Sequence, residues 1–368
     1  MQSAADPDAD EPRRRSAALQ RAVPITRMAD YGVPLGDALR VHAAVSSDAP
    51  LAWDAACEEL ALRHIGLAQT ASSAGHRLTA ALAWRSASAL LQCAQLAYNA
   101  DGPRKQALYE QAHAAMQQHA ALCDDLQVLR LPTALGDLHA WSVHPPQPAQ
   151  AAVIVLGGLS GWGASYLDMG RALAARGMLA LLCEGPGQGL SRMHAGIHLG
   201  ADTLPLLSRF VDHAQSLLDK AVADRIGVWG NSFGGLFAAQ LAVRDARVQA
   251  LCFNGTPGIP IIPDFKTARE LLGAVLGTME KVELVERASA LMLDPLRHRT
   301  AAAMLVVEGG RDPVVPLGLQ LGFFDLSSSA EKSRLSWGEG EHTVHNHAPE
   351  RNSRVADWFA QHLQVTPR

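Results

Sequence analysis

Neither sign of charge predominates in this sequence, and charged and aromatic side chains are scarce. Charged residues make up 18% of the 368 residues, aromatic residues make up 5%, and the formal net charge is −4. A chain without a basic excess lacks the electrostatic field that attracts nucleic acid or an anionic membrane surface. We therefore expect neither nucleic acid nor a membrane among the partners of this protein.

Paired cysteines and long apolar runs are also missing. The five cysteines are scattered and never form a C-x-x-C pair: Cys57, Cys93, Cys123, Cys183 and Cys252. This spacing predicts free thiols in a reducing compartment rather than disulfides or a metal site. No apolar run approaches the length of a membrane-spanning helix, and the basic cluster near the N-terminus precedes no long apolar run. A cytoplasmic location is the resulting expectation.

Glycine and β-branched residues are sparse between residues 24 and 126, where Ala, Leu, Gln and His are common. Apolar residues recur near helical spacing, which predicts helices over residues 53–71, 75–97 and 104–122. We expect residues 24–126 to form a domain of four or five helices. Residues 1–23 combine acidic and basic side chains with two prolines and are predicted to be a disordered tail.

The composition changes near residue 127, after which short apolar runs alternate with helical stretches. Residues 128–131 and 139–143 predict two paired strands with Gly136-Asp137 in their turn. Later apolar runs are typical of buried parallel strands, at residues 151–156, 179–183, 226–229, 250–253, 304–307 and 333–337. Helices are predicted between and after them, at residues 166–176, 203–222, 233–243, within 265–293, and at 355–363. This alternation favours an α/β domain at residues 127–368 with a doubly wound, mostly parallel sheet.

The sharpest motif is Gly230-Asn-Ser232-Phe-Gly234, a G-x-S-x-G pattern between an apolar strand and an Ala-rich helix. This is the context in which such a serine acts as the nucleophile of an α/β-hydrolase. Gly230 and Gly234 allow the strand and the helix to approach closely, because a Cβ at either position would collide. The alternative interpretation is a serine that only caps a helix.

A serine hydroxyl needs a base to take its proton and an acid to orient that base. In the α/β-hydrolase fold the chain order is Ser, then Asp or Glu, then His. Asp312 follows the apolar run at residues 304–307 and lies in a Gly-rich loop, from which it can reach a histidine on the next loop. Glu308, at the strand end, and Asp294, before Pro295, are the alternative acids.

Three histidines follow the last predicted strand: His342, His345 and His347. We favour His342 as the base because it comes directly after the Gly-rich bend. The other two are interpreted as supports for the loop or for the start of the final helix. Their spacing matches no zinc-binding pattern, so no metal is predicted.

An oxyanion hole needs a second backbone donor from the loop after an early strand. The loop Leu156-Gly-Gly-Leu159 fits, and we assign the amides of Leu159 and Phe233 as donors. The loop lacks the glycine pattern and the lysine of nucleotide-binding loops, so no cofactor is predicted. Gly158 and Trp162 are candidate substrate contacts. Glu184, at the end of another strand, either contacts substrate or braces its loop.

Four motifs together resemble a known family, in this order along the chain: Leu156-Gly-Gly-Leu159, Glu184-Gly-Pro-Gly-Gln-Gly189, Gly230-Asn-Ser-Phe-Gly-Gly235 and Gly340-Glu-His-Thr-Val-His-Asn346. They resemble the 2,6-dihydroxypseudooxynicotine hydrolase group and the fungal pigment-pathway hydrolases that shorten polyketides. The resemblance covers residues 27–358. It implies a helical N-terminal domain covering the active site of an α/β-hydrolase core, and a homodimer.

The resemblance also implies site residues. The family's Ser-Asp-His triad corresponds to Ser232, Asp312 and His342, and an extra carboxylate of the C–C hydrolase corresponds to Asp264. The chain departs from the family pattern at Glu184, where the family has Asp, and after the serine, where Phe233 replaces a common Leu.

The expected function is a serine hydrolase that attacks a carbonyl carbon and forms an acyl-enzyme. Its small-molecule substrate is expected to be aromatic or polyketide-like, with a scissile C–C bond beside a carbonyl or an ester or thioester bond. The alternatives are an acyltransferase that uses the same triad and a ligand-binding protein of the same fold without catalysis, since one fold supports many functions.

Overall fold

The computed structural model describes residues 11–47, 49–259 and 266–366. The chain divides into two compact units between Asp124 and Asp125, whereas the sequence analysis placed the boundary between residues 126 and 127. Asp125 belongs to the second unit because its carboxylate accepts a hydrogen bond from Arg171 Nε at 3.0 Å and its carbonyl accepts one from the His144 amide at 2.7 Å.

The described part of the first unit contains six helices: α1 Glu11–Ala22, α2 Ile25–Asp30, α3 Leu35–Val45, α4 Trp53–Ser73, α5 Arg77–Gln95 and α6 Pro103–Ala121. Its core gathers small and aliphatic side chains of α2 to α6 around Trp53, whose indole N–H donates to the Cys93 carbonyl at 2.9 Å. Pro103 begins α6, where the missing N–H of proline costs nothing.

One expectation for the first unit was wrong. Residues 11–22 were assigned to a disordered tail but form α1, which is rich in the helix formers Ala, Arg and Leu. Tertiary contacts hold α1, since Ser16 is buried and Arg15 donates to the Ala97 carbonyl at 2.6 Å. Four or five helices were predicted for residues 24–126, and the described residues of that range form five, α2 to α6. Two of these, α2 and α3, begin after a proline, at Pro24 and Pro34.

The second unit is built on an eight-stranded sheet in the order β1-β2-β4-β3-β5-β6-β7-β8. Its strands are β1 Leu126–Thr133, β2 Gly136–Val143, β3 Ala151–Leu156, β4 Met178–Glu184, β5 Ile226–Asn231, β6 Val248–Asn254, β7 Ala303–Gly309 and β8 Lys332–Trp337. β2 pairs antiparallel with β1 and β4, and every other neighbouring pair is parallel. The predicted doubly wound, mostly parallel sheet is confirmed.

The helices of the second unit, within the described residues, are α7 Leu167–Ala174, α8 Gly189–Met193, α9 Ser208–Ser216, α10 Gly234–Ala242, α11 Lys266–Leu276, α12 Lys281–Ser289 and α13 Ala348–His362. The single long helix predicted within residues 265–293 is two helices. Gly277 ends the first with φ +72°, a left-handed conformation that suits glycine. The Glu280 side chain caps the second by accepting a hydrogen bond from the Glu283 amide at 2.9 Å.

The predicted turn between the first two strands is also corrected. Gly136 and Asp137 lie in β2, paired with Thr133 and Pro132, so residues 134 and 135 make the turn.

No helix among residues 11–47, 49–259 and 266–366 has both the length and the apolar character needed to cross a membrane.

The six parallel strands β3 to β8 bring six connecting segments to one edge of the sheet, because the carboxyl ends of parallel strands point the same way. We name four of them: the β3 loop (residues 157–162), the β4 loop (residues 185–188), the β7 loop (residues 310–316) and the β8 loop (residues 338–347). The fifth connection, after β5, is the G-x-S-x-G turn, and the sixth, after β6, begins at Gly255. Every residue of β3, β4 and β5 is buried, so the loops that follow these strands are anchored in the core of the second unit.

Candidate active site

Ser232 lies on a sharp turn between β5 and α10. Its φ of +53° is unusual for a residue with a side chain, and such strain is concentrated at functional sites. The turn is possible because its flanking residues are glycines. A Cβ on Gly230 would lie 2.5 Å from Gly235 Cα, and one on Gly234 would collide with the Leu156 carbonyl.

The structure brings Ser232, His342 and Asp312 together in one hydrogen-bonded chain. His342 Nε2 lies 2.8 Å from Ser232 Oγ, and His342 Nδ1 lies 2.8 Å from Asp312 Oδ2. The other carboxylate oxygen, Asp312 Oδ1, accepts the amides of Val314 at 2.7 Å and Val315 at 2.8 Å. This arrangement suits an imidazole that donates from Nδ1 and accepts the serine proton at Nε2.

The alternative acids lie elsewhere. Glu308 is fully buried, but its carboxylate accepts hydrogen bonds from Arg334 Nε at 3.0 Å and from Ser336 Oγ at 2.7 Å. Both partners lie on the neighbouring strand, so Glu308 braces the sheet. Asp294 Oδ1 accepts the Leu296 amide at 2.9 Å in a local turn.

The other two histidines of the β8 loop face different partners. His345 is buried and its Nε2 lies 2.9 Å from a Glu341 carboxylate oxygen. His347 occupies the N-cap position of α13. In the described part of the chain, no group of three or more His, Cys, Asp or Glu side chains is arranged to hold a metal ion.

The buried cysteines are not alternative nucleophiles to Ser232. Cys93, Cys183 and Cys252 are buried, and burial raises the pKa of the Cys93 thiol to about 12. Burial also raises the pKa values of Cys183 and Cys252 well above the ordinary range. Since the thiolate is the reactive form of cysteine, these three residues are inert near neutral pH.

The β8 loop is held in a strained conformation directly after His342. Thr343 and Val344 have φ values of +53° and +56°, a region that β-branched residues rarely occupy. Two side chains hold this turn through the Thr343 carbonyl, which accepts Asn254 Nδ2 at 3.0 Å and Arg351 Nη1 at 2.7 Å. The Asn254 carbonyl also accepts the Ser232 amide at 2.8 Å, so one residue joins the serine turn to the β8 loop.

The β3 loop lies directly beside the serine. A Cβ on Gly158 would be 3.2 Å from Ser232 Cβ, which places the predicted contact residue Gly158 against the hydroxyl. Leu159 follows it and is partly exposed, and Phe233 is the N-cap residue of α10. The amides assigned as oxyanion donors therefore belong to the two segments that border Ser232.

Two predicted substrate contacts have a different environment. Trp162 is 1% exposed and its indole N–H donates to the Gly158 carbonyl at 3.1 Å, so it supports the β3 loop rather than offering a surface to a ligand. Glu184 is also 1% exposed, and its carboxylate accepts the Leu190 amide at 2.7 Å, which favours the bracing interpretation. Asp264 lies outside the described residues.

Sequence reasoning missed Asn254, Arg351 and Gln188, which act on backbone carbonyls of the active-site loops. Asn254 was detectable as a polar residue at the end of an apolar strand. Gln188 was detectable as the only amide side chain in the glycine-rich turn at residues 185–189.

Known hydrolases share both sequence and fold with this chain, although no protein-family model matches it. The 2,6-dihydropseudooxynicotine hydrolase of Paenarthrobacter nicotinovorans is 27% identical over 305 residues, which is 77% of either chain. The crystal structure of 2,6-dihydroxy-pseudo-oxynicotine hydrolase covers 93% of this chain with a TM-score of 0.79 and 22% identity. The chain has the α/β-hydrolase fold.

The chain also resembles fungal proteins, as the motifs predicted. The α/β-hydrolase gkaG of Penicillium citrinum is 29% identical over 211 residues, which is 54% of this chain and 49% of the fungal protein. The chain therefore spans about half the length of that relative. The resemblance to the 2,6-dihydroxypseudooxynicotine hydrolase group and its fungal relatives is confirmed.

Proposed function

We propose that this α/β-hydrolase cleaves its substrate through an acyl-enzyme formed on Ser232. The observation that carries the proposal is the continuous hydrogen-bonded chain from Asp312 through His342 to Ser232 Oγ, with 2.8 Å at both links. In the first half of the reaction, Ser232 Oγ attacks the substrate carbonyl carbon while His342 Nε2 takes the hydroxyl proton. Asp312 holds the imidazole and stabilises its positive charge.

The developing oxyanion is stabilised by the amides of Leu159 and Phe233, the latter at the start of α10, where the helix dipole favours negative charge. Collapse of the tetrahedral intermediate breaks the bond to the leaving group, which takes its proton from His342. In the second half, His342 removes a proton from water, the water oxygen attacks the acyl carbon, and Ser232 leaves with that proton. The products are a carboxylic acid and the protonated leaving group.

We propose a small aromatic or polyketide-like substrate. Apolar side chains are exposed beside the site, with Val314 at 60% and Leu317 at 48% on and after the β7 loop. Ile259 is 48% exposed on a neighbouring segment, where the Gly258 amide donates to the Leu319 carbonyl at 3.2 Å. An exposed apolar border of this kind favours an apolar ligand.

The scissile bond is proposed to be a C–C bond beside a carbonyl, or an ester or thioester bond. The triad serves either reaction, but a carbon leaving group must be stabilised by a second carbonyl or by an electron-rich ring. The resemblance to the 2,6-dihydroxypseudooxynicotine group favours carbon, and the motifs alone are equally compatible with oxygen or sulfur.

The test is a substrate panel of p-nitrophenyl esters, acyl thioesters and β-diketones, assayed with the wild type and with Ser232→Ala. We expect turnover of at least one class by the wild type, loss of that turnover in Ser232→Ala, and an unchanged circular dichroism spectrum. Release of a ketone from a β-diketone identifies the C–C hydrolase, and an ester product formed with added alcohol identifies an acyltransferase. A wild type that binds these compounds but neither turns over nor reacts with a fluorophosphonate contradicts the proposal and indicates a ligand-binding protein.

A further inference from the structure

The carbonyl of Gly158 is held by two side chains that the proposed reaction does not use. Trp162 Nε1 and Gln188 Nε2 both donate to this oxygen, each at 3.1 Å, and Gln188 Nε2 also donates to the Gly157 carbonyl at 2.6 Å. The Gln188 side chain is completely buried and Trp162 is nearly so. Neither side chain contacts the triad in these hydrogen bonds, so their effect on Ser232 must pass through the backbone of the β3 loop.

The peptide between Gly158 and Leu159 carries that effect. In a trans peptide the C=O and N–H groups point in opposite directions, and none of the described peptide bonds is cis. Donors that fix the Gly158 oxygen on one side of the loop therefore turn the Leu159 N–H to the other side. Because Gly158 has no Cβ, its own backbone restricts this rotation little, and side-chain donors are needed to select one orientation.

Gln188 is itself fixed in the orientation that donates. Its Oε1 accepts the Gly185 amide at 3.1 Å, which leaves Nε2 to face the β3 loop. Arg192 links the two donors, since its Nη1 donates to the Gly187 carbonyl at 2.8 Å and its guanidinium lies 5.1 Å from the Trp162 ring centroid. Gln188 of the β4 loop and Trp162 at the end of the β3 loop thus hold the Gly158 carbonyl together, and Arg192 contacts both the β4 loop and the Trp162 ring.

We propose that Gln188 and Trp162 are positioning residues of the oxyanion hole, which aim the Leu159 amide by holding the Gly158 carbonyl. This inference rests on the proposed function, because it requires an oxyanion to form beside Ser232. It gives Gln188, in the Gly-Pro-Gly-Gln-Gly turn, an effect on the reaction rate, although the residue touches no reacting atom. A purely structural role would instead affect stability alone.

The test compares two substitutions that remove a donor and keep most of the volume, Gln188→Met and Trp162→Phe, with their double variant. We measure kcat and KM on the best p-nitrophenyl ester and the inhibition constant of a boronic acid, whose serine adduct resembles the tetrahedral intermediate. We expect kcat to fall about 10- to 100-fold in each single variant, as a displaced catalytic group does. KM should stay within about threefold, because ground-state binding is not affected.

The boronic acid should bind more weakly by about the same factor as the loss in kcat, since both report the oxyanion. The double variant should lose more than the product of the two single losses, because the shared carbonyl then has neither donor. The matched control is Gln240→Met, which removes a buried glutamine of α10 whose Nε2 donates to the Leu291 carbonyl at 2.6 Å. The control should lower the melting temperature and leave kcat unchanged.

The inference is overturned if Gln188→Met and Trp162→Phe lower only the melting temperature, as the control does, with kcat and boronic acid binding unchanged. Failure of the proposed function looks different. In that case Ser232→Ala keeps the wild-type turnover, and the boronic acid does not inhibit the wild type.

Discussion

The β3 loop and the β8 loop border Ser232 on two sides and are held in opposite ways. The β3 loop begins with two glycines, whose carbonyls accept hydrogen bonds from side chains, Gln188 of the β4 loop and Trp162 at the end of the β3 loop itself. The β8 loop instead places Thr343 and Val344 at positive φ, where the backbone stores strain of about 1–3 kcal/mol per residue. Asn254 and Arg351 hold that strained turn at a single carbonyl.

The two loops are held differently because they position different groups. The β3 loop presents a backbone amide, so a freely rotating glycine peptide is held by donors on its carbonyl. The β8 loop presents the imidazole of His342, so the backbone is bent until the side chain reaches both Ser232 and Asp312. We therefore expect changes on the β8 side to impair proton transfer and changes on the β3 side to impair stabilisation of the oxyanion.

The largest difference in kcat is expected between variants of two histidines of the β8 loop. His342→Ala removes the base and should lower kcat by about 10⁶-fold, as loss of a triad member does. His345→Ala removes a ring that contacts Glu341 and should change kcat by less than about tenfold. Steady-state kinetics of the two variants checks this, and full activity in His342→Ala with loss in His345→Ala would show that the base was chosen wrongly.

The second largest difference in kcat is expected between variants of two buried carboxylates that lie four residues apart in sequence. Asp312→Asn should lower kcat by about 10⁴-fold, because the amide favours the wrong imidazole tautomer. Glu308→Gln should leave kcat nearly unchanged, since Glu308 binds Arg334 and Ser336 on the neighbouring strand. Measuring kcat and the melting temperature of both variants compares them, and an equal loss of kcat would contradict the assignment of the acid.

A smaller effect is expected from the residue that joins the serine turn to the β8 loop. Asn254→Leu removes the donor to the Thr343 carbonyl but keeps the backbone carbonyl that binds the Ser232 amide. We expect kcat to fall about 10- to 100-fold through misplacement of His342, with an altered pH profile of kcat. Boronic acid binding should fall less than in Gln188→Met, and equal losses would abolish the contrast between the two loops.

The smallest expected effect is on stability in acid and concerns His139, which lies on β2 opposite Glu184 of β4. The His139 amide donates to Ser191 Oγ, which donates to the Glu184 carbonyl. Burial, then the charge of Arg130, lowers the pKa of His139 to about 4. The folded protein keeps this ring neutral while the unfolded chain protonates it below about pH 6.5, so stability is complete above pH 6.5 and is lost as pH falls toward 4.

His139→Gln should therefore flatten part of the decline in stability between pH 6.5 and 4. The measurement is the urea midpoint of wild type and variant at pH 7 and pH 4.5, at constant ionic strength. A variant with the same pH dependence as the wild type would show that His139 does not couple to folding. Burial also lowers the pKa values of His144 and His213. Both residues are present in the wild type and in the variant, so part of the pH dependence of stability remains in the variant.

Much of the sheet and three members of the candidate site could be predicted from sequence, because they depend on local pattern. The apolar run at residues 151–156 is β3, and the loop position of Asp312 distinguishes it from Glu308 on the strand. What could not be predicted depends on tertiary contacts. α1 is held by contacts with distant residues, and Gln188 and Asn254 act on carbonyls 30 and 89 residues away. The burial of Trp162 also depends on tertiary contacts, and sequence alone does not reveal it.

The most direct measurement for the central claim is mass spectrometry of an acyl adduct after a rapid acid quench with a p-nitrophenyl ester. Cleavage after Arg225 and Arg244 yields residues 226–244, in which Ser232 is the only hydroxyl, thiol, amine or imidazole side chain. We predict the mass of the acyl group on this peptide in the wild type, and no added mass in Ser232→Ala. An adduct on another peptide, or turnover in Ser232→Ala at the wild-type rate, would contradict the account.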